Sequence, residues 1–204
     1  LYCILADKGY FPKSDLETYS QYGSKYIGHP NNKVNGVEMN SGSLGHGLPV
    51  AVGMALAGRM DHAPYRVYTV MGDGELAEGS VWEGVMAAGH YKLDNLTAVV
   101  DRNRLQISGS TEDVMHHDSL DERFGSFGWH VIHASGNDPD SLIQAFDEAK
   151  NTKGMPTMII ADTVKGCGVS YMENQAVWHH KVPTEAEYLQ AKEELKAKEA
   201  AARE

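Results

Sequence analysis

Three observations predict an α/β fold, a doubly wound and mainly parallel sheet with helices on both faces. Val67–Met71 and Leu96–Val100 are short, β-branched apolar runs, the first stopped by glycine, and both read as strands buried on two faces. Glu78–Tyr91 reads as the helix between them, and a crossover of that length returns the chain parallel to where it began. The alternation continues through a strand at Gly128–His133, a helix from Asp138 to about Lys150 and a strand at Met155–Ala161, which makes a parallel sheet the economical arrangement.

Taken in order, Leu1–Asp7 looks like the end of a helix, with neither an initiating Met nor a signal segment, so further N-terminal sequence is expected. Ser14 is placed to cap a short helix to about Tyr22, with Asp15 and Glu17 in its first turn. Gly28–Asn32 is turn chemistry. Asn40–Gly47 is dense in glycine and small polar residues and leads into a helix at Leu48–Met60. The small side chains there permit close packing, or a backbone surface on which a flat ring can lie. The stretch after Asn103 shows no period until a helix at Ser119–Phe127, and a loop that long is often functional. Asp138-Pro139 supplies an N-cap and a first helical residue. Thr184-Glu185-Ala186-Glu187 is a capping box for a last helix whose apolar stripe, Tyr188, Ala191 and Leu195, is thin enough to predict a solvated helix along one edge.

The 204 residues suit one large domain, and a hydrophobic content of 42% supports a core. No apolar run approaches the ~18–20 residues needed to span a bilayer, so a soluble protein is expected, with no membrane partner. A formal charge of −10, from 18 basic and 28 acidic residues, argues against a nucleic-acid surface. Cys3 and Cys167 make no disulfide framework, and the histidine pairs His116-His117 and His179-His180 lack zinc-ligand spacing. A reducing cytoplasmic setting without zinc is the expectation.

Gly72-Asp73-Gly74 alone has the composition of a surface turn. With a strand before it, a helix after it and Asn103 at the end of the next strand, it reads differently. Adjacent strands lie about 4.8 Å apart, so Asp73 and Asn103 can share a small hard cation at one sheet edge. Mg²⁺ prefers six oxygens and takes several from water and phosphate, while Gly72, Gly74 and the helix start near Gly79 let backbone N–H groups approach an anion. A metal-bound diphosphate is the predicted ligand. Lys165, at the carboxyl end of the last strand, stands where open sheets bind ligands, with an exposed loop lysine as the alternative.

Gly-Asp-Gly followed at this interval by Asn resembles the signature of thiamine diphosphate enzymes. Gly28-His29-Pro30, Gly42-Ser43-Leu44-Gly45, the run Gly72–Glu83 and Trp178-His179 look specifically like the N-terminal, cofactor-binding half of transketolase, in the family's order and over nearly the whole chain. The resemblance implies the thiamine-diphosphate-binding fold, with thiamine diphosphate and Mg²⁺ as cofactors. It makes Asp73, Asn103 and the Leu105 carbonyl metal ligands, and Gly74, Asn103 and Lys165 contacts to the cofactor. Gly42, Ser43 and Leu44 would line its rings, and Glu78, Ile107 and His179 would also reach it. His29 and His179 match the family's catalytic histidines, and Glu78 and Glu83 match glutamates near the subunit contact.

The implied reaction moves a two-carbon ketol unit from a ketose phosphate to an aldose phosphate, a step of the pentose phosphate pathway. Two departures stand out: the family's Ser-Lys-Gly-His segment does not precede Leu1, and His46 replaces the usual Gln. No motif here supplies the glutamate with which the family's pyrimidine-binding domain activates the cofactor. The chain therefore looks like one subunit of a split transketolase or a fragment of a longer one, active only with a C-terminal subunit that carries that domain. The family's dimeric arrangement implies a heterotetramer with two copies of each chain. Two alternatives stay open: a related synthase that condenses pyruvate with an aldehyde phosphate, and a catalytically silent assembly subunit.

Overall fold

The computed structural model describes residues 1–117 and 119–202 as two compact units, Leu1–His46 and Gly47–Glu204.

The first unit is mostly irregular. Helix α1 (Tyr2–Asp7) and a 3-10 turn at Lys13–Thr18 enclose a small core of Leu5, Ala6, Phe11, Tyr26 and Val34. The helix expected from Ser14 to Tyr22 is replaced by that tighter turn, and Pro12, not Ser14, precedes it. Local polar groups compete with helical bonding here: the Thr18 hydroxyl donates to the Asp15 carbonyl at 2.8 Å, and the Asp15 carboxylate accepts from the Tyr26 hydroxyl at 2.7 Å. Burial, with Asp15 beside it, pushes the Tyr26 hydroxyl up to about 12.

The second unit carries the predicted sheet. Strands β1 (Val67–Gly72), β2 (Leu96–Arg102), β5 (His130–Ser135) and β6 (Thr157–Asp162) pair in parallel in the order β1-β2-β6-β5. Alternate residues face opposite layers. Ala98, Val100, Met158 and Ile160 meet helices α2 (Gly47–Met60), α3 (Gly79–His90) and α5 (Leu120–Ser126). Val99, Ile159 and Ala161 meet α6 (Pro139–Asn151). Met158, Ile159 and Ile160 are fully buried, each worth about 1.5–3 kcal/mol relative to exposure. The Gly72↔Asp101 and Arg102↔Asp162 pairings align the carboxyl ends of the three strands.

Several boundaries differ from the sequence expectation. A 3-10 turn, Gly74–Ala77, separates Asp73 from α3, and Glu78 is the cap of that helix. The expected loop after Asn103 contains an antiparallel hairpin, β3 (Leu105–Gln106) with β4 (Gly109–Ser110), and helix α4 (Thr111–Val114), whose first turn is capped by Ser110. Two-residue strands are too short to show alternation. Strand β5 starts at His130, because Gly128 takes a left-handed φ of +79° in the turn that ends α5. The caps at Asp138 and Thr184 form as expected, the last with both halves of its capping box, while Ser119, expected inside its helix, caps it from outside. Helix α7 (Glu185–Ala201) has no buried residue. Among the described residues no helix is long and apolar enough to cross a membrane.

Candidate functional site

Strand β1 delivers Asp73 to the carboxyl edge of the sheet, where the side chain is only 3% exposed. Its two oxygens are held apart by backbone donors: Gly74 N–H reaches Oδ1 at 2.9 Å and Arg104 N–H reaches Oδ2 at 2.6 Å. Burial pushes its carboxyl above the ordinary aspartate value, and the nearby Asp101 adds to that, while the two N–H groups oppose it. A buried carboxylate without a full counter-charge is a group that gains from a cation.

The turn after β2 is shaped around that carboxylate. Asn103 Oδ1 accepts from Leu105 N–H at 3.0 Å, and its Nδ2 donates to Asp101 Oδ1 at 3.3 Å. Between them Arg104 has a φ of +63°, an uncommon conformation for a side chain branching from L-chirality. Its guanidinium is tied to Asp162 at the end of β6 at 2.5 Å, and its carbonyl accepts from Thr111 N–H at 3.0 Å. The strained residue is thus fixed from three sides, and it turns the chain so that Asn103 and Leu105 flank Asp73.

Gly74 lies against β3. A Cβ there would stand 2.6 Å from the Gln106 Cγ, and Gln106 Nε2 donates to the Gly74 carbonyl at 2.9 Å. Gln106 Oε1 is buried and has no hydrogen-bond partner among the described residues. Such an orphaned acceptor beside a glycine cradle fits a site completed by a ligand or its water.

Beneath the turn sits His117, also buried. Its Nε2 lies 3.1 Å from the Asp73 carbonyl and its Nδ1 3.4 Å from Arg123 Nη1, whose guanidinium stacks over Trp82 at 4.4 Å. Burial and Arg123 push this imidazole below the ordinary histidine value, so the neutral ring donates from Nε2 and accepts at Nδ1.

Lys165 and His179 are near enough for the ammonium to act on the imidazole: partial burial first, then Lys165 and His180, push His179 below its ordinary value. His179 belongs to a 3-10 turn, Ala176–His179, that lies against β3. Ile107 is 62% exposed in the tip after β3. Glu78 caps α3 without a side-chain capping bond, and its carboxylate and that of Glu83 are exposed. In the first unit, Gly42 at φ +125° leaves no room for a side chain, because a Cβ would stand 2.3 Å from the His29 ring. Ser43 Oγ lies 3.2 Å from His46 Nδ1, and Leu44 is 54% exposed.

Sequence reasoning missed Asp101, Arg104, Gln106 and His117. An Asp two residues before Asn at a strand end was a readable signal, because i and i+2 point to the same side. Nothing in the sequence marks the left-handed arginine or the buried histidine.

Among the described residues no three His, Cys, Asp or Glu converge on one point. A cation at this edge would therefore rest on one carboxylate, the Asn103 amide oxygen and main-chain carbonyls, with phosphate oxygens completing the shell. That donor set, all oxygen and singly charged, suits Mg²⁺ delivered with a diphosphate.

A family model described as transketolase, thiamine diphosphate binding domain, matches residues 1–201. The chain is 48% identical over 195 residues to a subunit of the apulose-4-phosphate transketolase of Phocaeicola vulgatus, covering 96% of this chain and 69% of that one. It is 42% identical over 196 residues to the 6-deoxy-6-sulfo-D-fructose transketolase subunit SqwG of Clostridium sp. strain MSTE9, covering 96% and 71%. The solved transketolase of Campylobacter jejuni superposes with a TM-score of 0.85 at 31% identity, over 90% of this chain and 30% of that one. The chain thus spans more than two thirds of each of those two relatives and under a third of the longer transketolase.

Proposed function

The chain belongs to the transketolase family as its thiamine diphosphate-binding domain, and from that premise we propose that it is the N-terminal subunit, or N-terminal part, of a transketolase that moves a two-carbon ketol unit from a ketose phosphate to an aldose phosphate. The observation that carries this reading is the placement of buried Asp73 and of Asn103 just past the carboxyl ends of adjacent parallel strands, each accepting a backbone N–H from the turn after β2.

In this proposal Asp73, Asn103 and the Leu105 carbonyl hold Mg²⁺, and Gly74 and Lys165 bind the diphosphate. Gly42, Ser43, Leu44, Ile107 and Glu78 bound the rest of the cofactor. Bound thiamine diphosphate supplies a thiazolium that holds the electron pair released when a carbon–carbon bond beside a carbonyl breaks. The chain's own groups have simpler tasks. Asp73 and Lys165 neutralise charge around the metal and the phosphates, and exposed Ile107 offers apolar surface that excludes water from a ring. His29 and His179 hold or move protons on sugar hydroxyls. A depressed imidazole such as His179 is neutral at physiological pH and able to accept one.

The proposed partner is a C-terminal subunit with the pyrimidine-binding domain, in an assembly with two copies of each chain. Two relatives bear subunit names, and α2 exposes Gly53, Met54, Ala57 and Met60 along one face, a stripe suited to burial in an assembly. A cytoplasmic setting would keep the exposed thiols of Cys3 and Cys167 reduced. Calorimetric titration of thiamine diphosphate with and without Mg²⁺ tests the binding half of the proposal: affinity that is insensitive to the metal would contradict it.

A further inference from the structure

Asp101 lies near the end of β2, two residues before Asn103 in the turn. One of its carboxylate oxygens, Oδ1, takes two donors: the Thr163 hydroxyl, from the residue after β6, and the Asn103 amide Nδ2 at 3.3 Å. Thr163 is itself fixed, its N–H donating to the Arg102 carbonyl at 3.2 Å. A chain of bonds therefore runs from the end of one strand, through Asp101, to the amide of Asn103.

The chemistry of that chain is directional. The two ends of an asparagine amide are nearly the same size, so shape alone does not say which end faces a ligand. A carboxylate only accepts, so only the NH2 end of Asn103 can face Asp101. Leu105 N–H only donates, and it meets the oxygen end. Both partners enforce one orientation, but Asp101 is the only side chain among the described residues that the Asn103 NH2 group is seen to bond. A cation needs the oxygen, and an amide turned the other way would offer it two positively polarised hydrogens.

We propose that Asp101 is a positioning residue that sets the Asn103 amide with its oxygen toward the metal–diphosphate position, with Thr163 holding Asp101 in place. The inference rests on the reading of this edge as a magnesium–diphosphate site. Asp101 also brings negative charge to the edge, and the test separates orientation from charge. Asp101→Asn and Asp101→Leu both remove the charge, but only the asparagine keeps an acceptor for the Asn103 NH2 group and the Thr163 hydroxyl.

The chain with its partner subunit is titrated with thiamine diphosphate at saturating Mg²⁺. Loss of a residue that orients a metal ligand typically weakens metal binding by about 10–100-fold. Asp101→Leu is expected to fall in that range, Asp101→Asn several-fold less, and Thr163→Val is expected to weaken binding in the same direction. In the free chain, the Asn103 side-chain NH2 signal, identified by its disappearance in Asn103→Leu, is expected to be protected from exchange in the wild type and to lose protection in Asp101→Leu. Equal losses in the asparagine and leucine variants would reduce Asp101 to a charge and overturn the proposal. Wild-type affinity in Asp101→Leu would overturn it as well. Absence of any Mg²⁺-dependent binding by the wild type would instead sink the reading of the site on which the inference stands. Should Asp101→Leu fail to fold, unchanged affinity in both Asp101→Asn and Thr163→Val would overturn the proposal.

Discussion

Replacing Asp73 by Asn separates what the site costs the free protein from what it gains with its ligand. In the free chain the buried carboxylate is held above its ordinary pKa by desolvation and by Asp101. A carboxyl raised in the folded state gives its full stability contribution below its unfolded value, and that contribution is lost as pH rises through the folded value. Asp73→Asn removes this dependence. It also creates a local defect, because the new amide oxygen can serve only one of the two N–H groups now at 2.9 and 2.6 Å, while its NH2 faces the other. An unsatisfied buried donor costs about 1–3 kcal/mol, so the variant starts less stable at low pH and the gap narrows as pH rises. Urea denaturation of both proteins from about pH 4, near the ordinary aspartate value, to about pH 7 reads this difference. Adding Mg²⁺ and thiamine diphosphate at neutral pH reverses it. A ligand at about 100 times its Kd stabilises by about 2.7 kcal/mol, and only the wild type should show that gain. A wild-type advantage that grows with pH in the free proteins, or an equal ligand-induced gain in both, would refute the reasoning.

Two further outcomes are expected. Gly74→Ala drives a Cβ to 2.6 Å from the Gln106 side chain and should lower cofactor affinity; adding Gln106→Ala makes room and should restore part of it in a double-mutant cycle, whereas additive losses would place the fault elsewhere. His179→Ala should leave cofactor affinity near wild type and reduce turnover on a ketose donor by about 10²–10⁴-fold, the usual contribution of a proton-handling side chain; unchanged turnover would return His179 to an ordinary loop residue.

The parts of the molecule that could be read ahead of the structure are those with a strong local code. The run Leu96–Val100 is apolar on both faces because both faces are covered, and its pairing with Val67–Met71 follows from the helix between them; Val67–Met71, expected to be buried on two faces, is instead the edge strand and leaves Tyr68 and Val70 exposed. That pairing makes neighbours of the two strand ends that lead into Asp73 and Asn103. The caps at Asp138 and Thr184 are equally local. What escaped depends on contacts distant in sequence. Arg104 adopts a left-handed backbone because Asp73, Asp162 and Thr111 hold it there, and nothing in an arginine foretells that. His117 is buried because the Asp73 carbonyl and Arg123 satisfy both ring nitrogens. The Ser14 helix failed for the opposite reason: its side chains found closer partners than the helix offered.

Ketol transfer itself tests the central claim most directly. The purified chain is assayed alone, with a C-terminal partner bearing a pyrimidine-binding domain, and with that partner once Asp73→Asn has been introduced, using a ketose phosphate donor, an aldose phosphate acceptor, thiamine diphosphate and Mg²⁺. The account predicts turnover only in the mixture with the unaltered chain. Robust turnover by the chain alone, or undiminished turnover by the mixture carrying Asp73→Asn, would contradict it.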